Sequence, residues 1–213
     1  LAENCYDGNR VSRLCQRYGL EVDHKGLQQL LKDSVTTSLL KPEVQGESFS
    51  LADIAPEHQV KELGFSLYMT HTTTDDVNRI LVSQQTYVPL LYREMEGFLN
   101  GYIDLICFHD GRYYVIDYKT NYLGDHIADY SRAALVSAMR AHNYGLQYWL
   151  YSLVVHRYLK RWLPGYSYTD HFGGVMYLFV RGMMPETAGS GVYIDLPDEQ
   201  VLNELDRCFG EKP

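Results

Sequence analysis

The sequence predicts an α/β fold: a mixed central sheet flanked by helices, with a helical N-terminal segment ahead of it. Three observations predict this. Two largely apolar runs flank Asp110-Gly111, and Asp-Gly between such runs signals a two-residue hairpin, because both turn positions need φ > 0. After that hairpin come two stretches with helical spacing, then the apolar run Phe172 to Val180 and a last helical stretch; strands and helices in this order build a sheet covered by helices. Residues 1–55, by contrast, show helical spacing alone, so the expected division is a helical lead-in over 1–55 and an α/β domain over 56–213.

The elements follow in order. Val11, Leu14, Cys15 and Leu20 predict a short first helix, and Leu27, Leu30, Leu31 and Val35 recur at helical spacing. Pro42, Gly46 and Ser48 mark a loop. From Val60 to Met69 the pattern alternates as in a strand, with Leu63, Phe65, Leu67 and Met69 on one face and Glu62 on the other. Thr74-Asp75-Asp76 can cap a helix reaching about Gln84. The long central strand starts near Gly97. Residues 130–142 and 144–161 form two amphipathic helices, the second packing Leu146, Leu150, Leu153 and Tyr158 inward. Phe172 to Val180 is a buried strand and Val192 to Ile194 a short edge strand. Pro197 opens a final helix with Val201, Leu202 and Leu205 on its inner face.

Composition sets limits. With 213 residues, 46% of them apolar, the chain can bury one substantial core. It has no apolar run long enough for a membrane span and no signal peptide. It begins with Leu1 rather than Met, which reads as a piece excised from a longer protein. The formal charge of −8 is unfavourable for contact with a polyanion, so a local basic patch has to supply the attraction, or the rest of the parent protein does. The best candidate patch is His156-Arg157-Tyr158-Leu159-Lys160-Arg161. A solvated helix end whose cations favour the C-terminal dipole explains the same residues equally well. Cys5, Cys15, Cys107 and Cys208 form no C-x-x-C pair, so reduced thiols in a cytoplasmic protein are expected rather than zinc or iron–sulfur ligation. There is no P-loop, no G-x-S-x-G elbow and no Cys/His pairing that suggests a thiol hydrolase.

The hairpin carries the chemistry. With a turn at 110–111, Asp104 falls directly opposite Asp117, and opposed side chains share a face with Cβ atoms roughly 4.5–5.5 Å apart. Lys119 returns to that face two residues after Asp117. Ile103, Leu105, Ile106, Val115 and Ile116 make both faces apolar, as in a central strand pair, where charges need a specific reason. Facing carboxylates destabilise a bare sheet. A hard divalent cation such as Mg²⁺, taking oxygen ligands, offsets that repulsion, while Lys119 can hold a phosphate oxygen or orient a water. An ordinary Asp104–Lys119 salt bridge is the plain alternative. A two-carboxylate glycosidase is another, since opposed residues approach the required spacing of roughly 5–5.5 Å, but the neighbouring lysine suits a phosphodiester better than an oxocarbenium ion. Gln147 and Tyr151, four apart on a helix, share a face; they can bond a phosphate, a metal-bound water or a nucleic-acid strand, or form a polar stripe at a helix–sheet boundary. Tyr118, Asn121 and Tyr122 follow the hairpin and can line a groove. Aromatic stacking on single-stranded bases contributes about 1–3 kcal/mol per base, yet most of the nineteen tyrosines alternate with apolar residues and read as half-buried core. The eight histidines are scattered, His109, His142 and His171 among them, and each alone is read as structural.

Gly97-Phe-Leu-Asn-Gly-Tyr-Ile-Asp104 and Tyr-Tyr-Val-Ile-Asp117-Tyr-Lys119-Thr-Asn-Tyr-Leu-Gly124 closely resemble the C-terminal nuclease domains of the RecB family, the helicase–nuclease subunits of RecBCD exonucleases. The likeness continues through Tyr144-Gly-Leu-Gln147-Tyr-Trp-Leu-Tyr151 and His171-Phe-Gly-Gly-Val-Met-Tyr-Leu-Phe-Val-Arg-Gly182, covering roughly residues 56–196. The D…D-x-K core is shared by many restriction-endonuclease-like proteins; the flanking strings are specific to RecB. The resemblance implies a restriction-endonuclease-like fold and an exodeoxyribonuclease V-type activity that cuts DNA with Mg²⁺, Mn²⁺ serving as a substitute. It implies that Asp104, Asp117 and Glu62 are metal ligands, Lys119 the catalytic lysine, and Gln147 and Tyr151 the family's Q-x-x-x-Y motif. The family's upstream metal-binding histidine has no match; His24 lacks its expected surroundings. By the same resemblance the partners are DNA, chiefly single strands delivered by a helicase portion that alone uses ATP, the RecC and RecD type subunits, and the recombinase RecA, in double-strand-break repair and recombination. A catalytically idle module that binds RecA or sister subunits is the alternative role.

Overall fold

The computed structural model describes residues 6–40 and 48–210. The readings made at Cys5, Pro42 and Gly46 lie outside the described residues. The chain forms two compact units from interleaved stretches, one comprising Leu1–Gln59, Tyr118–Leu135 and Tyr177–Tyr193, the other Val60–Asp117, Val136–Met176 and Ile194–Pro213. A single five-stranded sheet runs in the order β1-β2-β3-β4-β5, made of β1 (Gln59–Thr73), β2 (Glu94–His109), β3 (Arg112–Lys119), β4 (Phe172–Phe179) and β5 (Val192–Asp195). Together with the helices around it, this is the mixed α/β sheet expected from the sequence.

The first unit opens with α1 (Gly8–Tyr18) and α2 (His24–Thr36). Each begins at an aspartate whose carboxylate accepts an orphan backbone N–H, Asp7 from Arg10 and Asp23 from Lys25. The two helices pack on each other. Val11, Cys15 and Val35, with Leu39, Leu40, Phe49, Leu51 and Ile54 beyond them, form this unit's apolar interior.

The second unit holds the long strands. Along β1 the expected alternation is present: Leu67 and Met69 are buried and Leu63 and Phe65 half-buried, while Glu62, Ser66 and Tyr68 are exposed. The next helix, α3 (Thr74–Leu81), is capped by Thr73 in a capping box with Asp76, one residue before the expected cap. It stops short of Gln84 because the chain folds back on Asn78. That side chain accepts from Leu90 N (2.8 Å) and Tyr87 Oη (2.7 Å) and donates to Leu90 O.

Helix α4 (Arg132–Ala141) is preceded by a 3₁₀ turn at Ile127–Tyr130, so the expected helix over 130–142 is shorter than predicted. Helix α5 (Tyr144–Trp162) has a nearly continuous buried stretch from Tyr148 to His156. Its first turn abuts Thr86: a Cβ at Gly145 would lie 2.3 Å from Thr86 O, so only glycine lets the helix seat there. Tyr158, expected inside, is 54% exposed. Val155 and Leu159, four apart, turn inward, and a helix that buries that stripe rotates position 158 outward. A four-residue helix, α6 (Tyr168–His171), leads into β4, which is buried along its whole length. The last helix, α7 (Glu199–Cys208), is capped by Asp198 and buries Leu202 and Leu205, with Val201 half-buried. No helix among the described residues is long and apolar enough to cross a membrane.

Candidate active site

The turn behaves as the sequence requires. Asp110 (φ 45°) and Gly111 (φ 76°) both have left-handed backbone, the type I′ geometry that matches strand twist. The antiparallel ladder then runs from His109↔Arg112 to Leu105↔Ile116. The next step of this register sets Asp104 opposite Asp117, on the face expected. Ile103, Leu105, Val115 and Ile116 are at most 1% exposed, so the carboxylates emerge from a dry strand pair. Asp117 is itself buried, whereas Asp104 is half-buried. Asp117 has partners in the protein, but its Oδ2 atom is buried and accepts no hydrogen bond. Two oxygen-donor groups facing each other, one of them largely desolvated, are the donor chemistry that a hard divalent cation takes.

Helix α5 reaches the same carboxylates. Gln147 Nε2 donates to Tyr151 Oη (2.7 Å), and Tyr151 Oη donates to Tyr102 O (2.6 Å), two residues before Asp104 on β2. The Tyr151 ring also meets Phe65 of β1 edge-on at 5.7 Å. Burial pushes the Tyr151 hydroxyl above its ordinary range; the Gln147 hydrogen bond opposes this, and the negative charges of Asp117 and Asp104 add to it. The hydrogen bond to Tyr102 O, two residues before Asp104, sets the Gln147–Tyr151 pair over β2. Tyr102, whose carbonyl receives the Tyr151 proton, was not among the residues singled out from the sequence. A backbone acceptor leaves no side-chain signature.

Lys119 follows Asp117 by two residues on β3 and is buried. Its Nζ lies over the Tyr177 ring, 5.2 Å from the centroid, a cation–π contact that restrains the ammonium. Glu62 is a different case. The ring of Tyr102 covers Gly64, the ring of Phe65 covers Gly101, and Tyr68 meets Phe98 at 4.9 Å. These contacts join β1 to its neighbour β2 in the sheet. Glu62 lies within β1, but it has left-handed backbone (φ 51°) and is exposed. No group of three or more His, Cys, Asp or Glu side chains able to hold a metal forms among the described residues; Glu62 is not gathered with the two aspartates as a third ligand.

The remaining candidates are placed elsewhere. His24 Nδ1 lies 3.2 Å from Ser12 Oγ. His142 stacks on Tyr144, and His171 Nδ1 bonds the Ser167 backbone. Tyr122 is exposed and bonded to Asp125, which raises its hydroxyl above the usual range. The basic stretch divides. His156 is buried and bonded to Tyr166 Oη, and burial lowers it to about 4; Arg157 pairs with Asp206; Lys160 and Arg161 are exposed. Cys15, Cys107 and Cys208 are free thiols, and burial pushes Cys107 up to about 12, which suits a structural role.

Residues 10–209 match the PD-(D/E)XK nuclease superfamily. The chain is 36% identical to the RecBCD enzyme subunit RecB of Haemophilus influenzae (strain ATCC 51907 / DSM 11121 / KW20 / Rd) over 97% of its own length and 17% of that protein. It is 35% identical to RecB of Escherichia coli (strain K12), over 81% of its length and 15% of the relative. With RecB of Mycobacterium tuberculosis (strain CDC 1551 / Oshkosh) it shares 39% identity over 71% of its length and 14% of the relative. The chain thus spans about a sixth of the curated relatives it matches. The D…D-x-K arrangement of Asp104, Asp117 and Lys119 occupies the hairpin within the matched region, and the chain belongs to the PD-(D/E)XK nuclease superfamily, as a nuclease domain of the RecB type.

Proposed function

We propose that this domain hydrolyses phosphodiester bonds of DNA, chiefly unwound single strands, using a divalent cation held by Asp104 and Asp117. The observation that carries the proposal is the β2–β3 register, whose continuation by one step past Leu105↔Ile116 faces the two carboxylates across a dry strand pair. Divalent-metal dependence is general in this superfamily. Mg²⁺ is the cation we propose, with Mn²⁺ able to replace it, because two carboxylates leave room for the waters that Mg²⁺ keeps. Such an ion supplies Lewis-acid polarisation of a phosphoryl oxygen and an acidified water. Lys119, on the same face of β3, positions that water and offsets charge developing at the scissile phosphate. Tyr151 acts by position: its one proton is donated to Tyr102 O, so it holds β2 beside Asp104, and Gln147 orients Tyr151. Glu62, on the neighbouring strand β1, is the acid that the family resemblance offers for the rest of the ion's shell.

The parent would be a cytoplasmic RecB-type helicase–nuclease working with RecC and RecD type subunits, and with RecA, in double-strand-break repair. The decisive experiment compares purified wild type with Asp117→Ala on single-stranded DNA. Mg²⁺-dependent degradation should disappear in the variant while its circular dichroism is retained, and EDTA should silence the wild type reversibly. Undiminished cleavage by the variant removes Asp117 from the chemistry. A catalytically idle module that binds a partner protein is the second reading, favoured by the charge of −8. Mn²⁺ titration by calorimetry separates the two, since the idle module takes up no ion.

A further inference from the structure

Helix α5 ends in a surface that the hairpin chemistry does not use. Tyr158 is 54% exposed and Trp162 is 64% exposed. They are four residues apart, so they share a helix face. The Arg161 guanidinium lies 5.3 Å from the Trp162 ring centroid. Beside them is a concavity between α5 and the end of α7, lined by Arg157, Lys160, Arg161, Asp206, Arg207 and Gly210. Four cations stand there against one carboxylate, in a chain whose formal charge is −8. The helix C-terminus contributes only about half a negative charge against them.

A favourable helix dipole accounts for cations in a last turn, but it does not account for two large rings left in water. Aromatic rings beside a cationic channel are what a single-stranded nucleic acid binds: bases stack on the rings and phosphates pair with the cations. Another exposed aromatic face of this unit makes the contrast. On β1 and β2, Tyr68, Phe98 and Tyr102 stand with Glu62 and Glu96, whose charges repel a phosphate backbone. Charge therefore selects the α5 end.

We infer that the α5–α7 end, with Tyr158 and Trp162 as stacking rings and Lys160, Arg161 and Arg207 as phosphate contacts, is a binding site for single-stranded nucleic acid separate from the hairpin acids. The identity of the polymer rests on the nuclease reading above; the binding itself is measured without cleavage. The site keeps hold of a strand that the acidic remainder of the chain would repel.

The chain supplies its own reporter. It has two tryptophans, and Trp149 is 1% exposed, so quenching by a stacked base reads Trp162. The experiment titrates oligothymidylate into the protein in EDTA, where no metal-dependent cleavage occurs. Saturable, salt-sensitive quenching is expected. Trp162→Ala should weaken binding, followed by fluorescence anisotropy of a labelled strand, by about tenfold. Lys160→Glu with Arg161→Glu should weaken it at least as much and reduce the salt slope by about 1.4, the value for two phosphates on a single strand. Both positions are exposed, and cleavage of a very short oligonucleotide at saturating concentration should be unchanged, which shows the hairpin site intact. Asp117→Ala should bind as wild type does. Absence of quenching, or charge-reversed protein that binds as wild type, overturns the inference. Quenching by polyglutamate with none by oligothymidylate also overturns it and marks the surface as a dock for an acidic protein. If the wild type fails to cleave with metal yet binds the strand, the nuclease proposal falls and this site stands.

Discussion

The β2–β3 stem and the start of β1 both carry candidate acids, yet the chain treats them differently. In the stem, the turn at Asp110-Gly111 fixes a continuous ladder, the flanking residues are dry, and Asp104 and Asp117 follow from it by register. At the start of β1, Glu62 is exposed and its backbone is left-handed. A pair of ligands set by a two-residue turn is rigid by construction. A third acid set by a strand that pairs from far along the chain is adjustable. That difference underlies the proposed division of duties, in which the stem would hold the ion and β1 would trim its shell.

The sharpest way to break this assignment is Asp117→Asn. The amide keeps the volume and loses the charge, and kcat should fall on the order of a thousandfold, as for loss of a principal electrostatic group at the reacting centre. If instead Glu62→Gln falls that far and Asp117→Asn does not, the duties are reversed. Lys119→Gln should come next, with a loss of about a hundredfold in kcat and little change in metal affinity, because in the proposed mechanism the lysine acts on the phosphate and water rather than on the ion. A parallel loss of Mn²⁺ binding in a calorimetric titration would show that Lys119 supports the ligands instead.

The same contrast decides what could be read from sequence. Asp-Gly between apolar runs is a local signal, and everything that follows from it by counting along two strands was legible: the facing aspartates, the lysine two residues on, the central position of the strand pair. The Gln147–Tyr151 pairing was legible for the same reason, as i and i+4 on one helix. What could not be read depends on distant chain. Tyr102 O becomes the acceptor for Tyr151 only because α5 seats over β2. The β1 alternation was plain in Leu63, Phe65, Leu67 and Met69, but the left-handed turn of Glu62 leaves no mark in residue type, since glutamate rarely adopts it. Tyr158 was misplaced because an aromatic in a hydrophobic-rich helix fits two neighbouring faces, and only the packing of Val155 and Leu159 chooses between them.

Tyr151→Phe sharpens the comparison from the helix side. It removes the donor to Tyr102 O and leaves that carbonyl underbonded, which costs about 1–3 kcal/mol where water cannot replace it. The rate should fall about tenfold through a displaced Asp104. Burial, with the Asp117 and Asp104 charges, raises this hydroxyl above its ordinary range, so the native donor stays protonated through neutral and mildly alkaline pH. The loss in the variant should then be the same at every pH in that interval. A loss that appears only on the acid or alkaline side would mean that Tyr151 exchanges its proton during turnover.

The smallest expected effect concerns Glu62, where two substitutions separate strain from chemistry. A non-glycine residue in the left-handed region costs roughly 1 kcal/mol, and glycine takes that conformation freely. Glycine's extra unfolded-state entropy takes back roughly 0.5–1 kcal/mol of that relief, so Glu62→Gly should raise the unfolding free energy in urea titration by at most about 0.5 kcal/mol, while Glu62→Gln, which keeps the strain, should leave it unchanged. Both remove the carboxylate. If the acid trims the shell of an ion that Asp104 and Asp117 already hold, both variants should need several-fold more Mg²⁺ for half-maximal rate and recover nearly full kcat at saturation. Backbone strain that persists at an exposed acid is explained when the conformation aims that acid at a task. Should Glu62→Gly gain stability and lose nothing in its Mg²⁺ requirement, the strained turn would have no catalytic purpose, and the ion would be held by the stem alone.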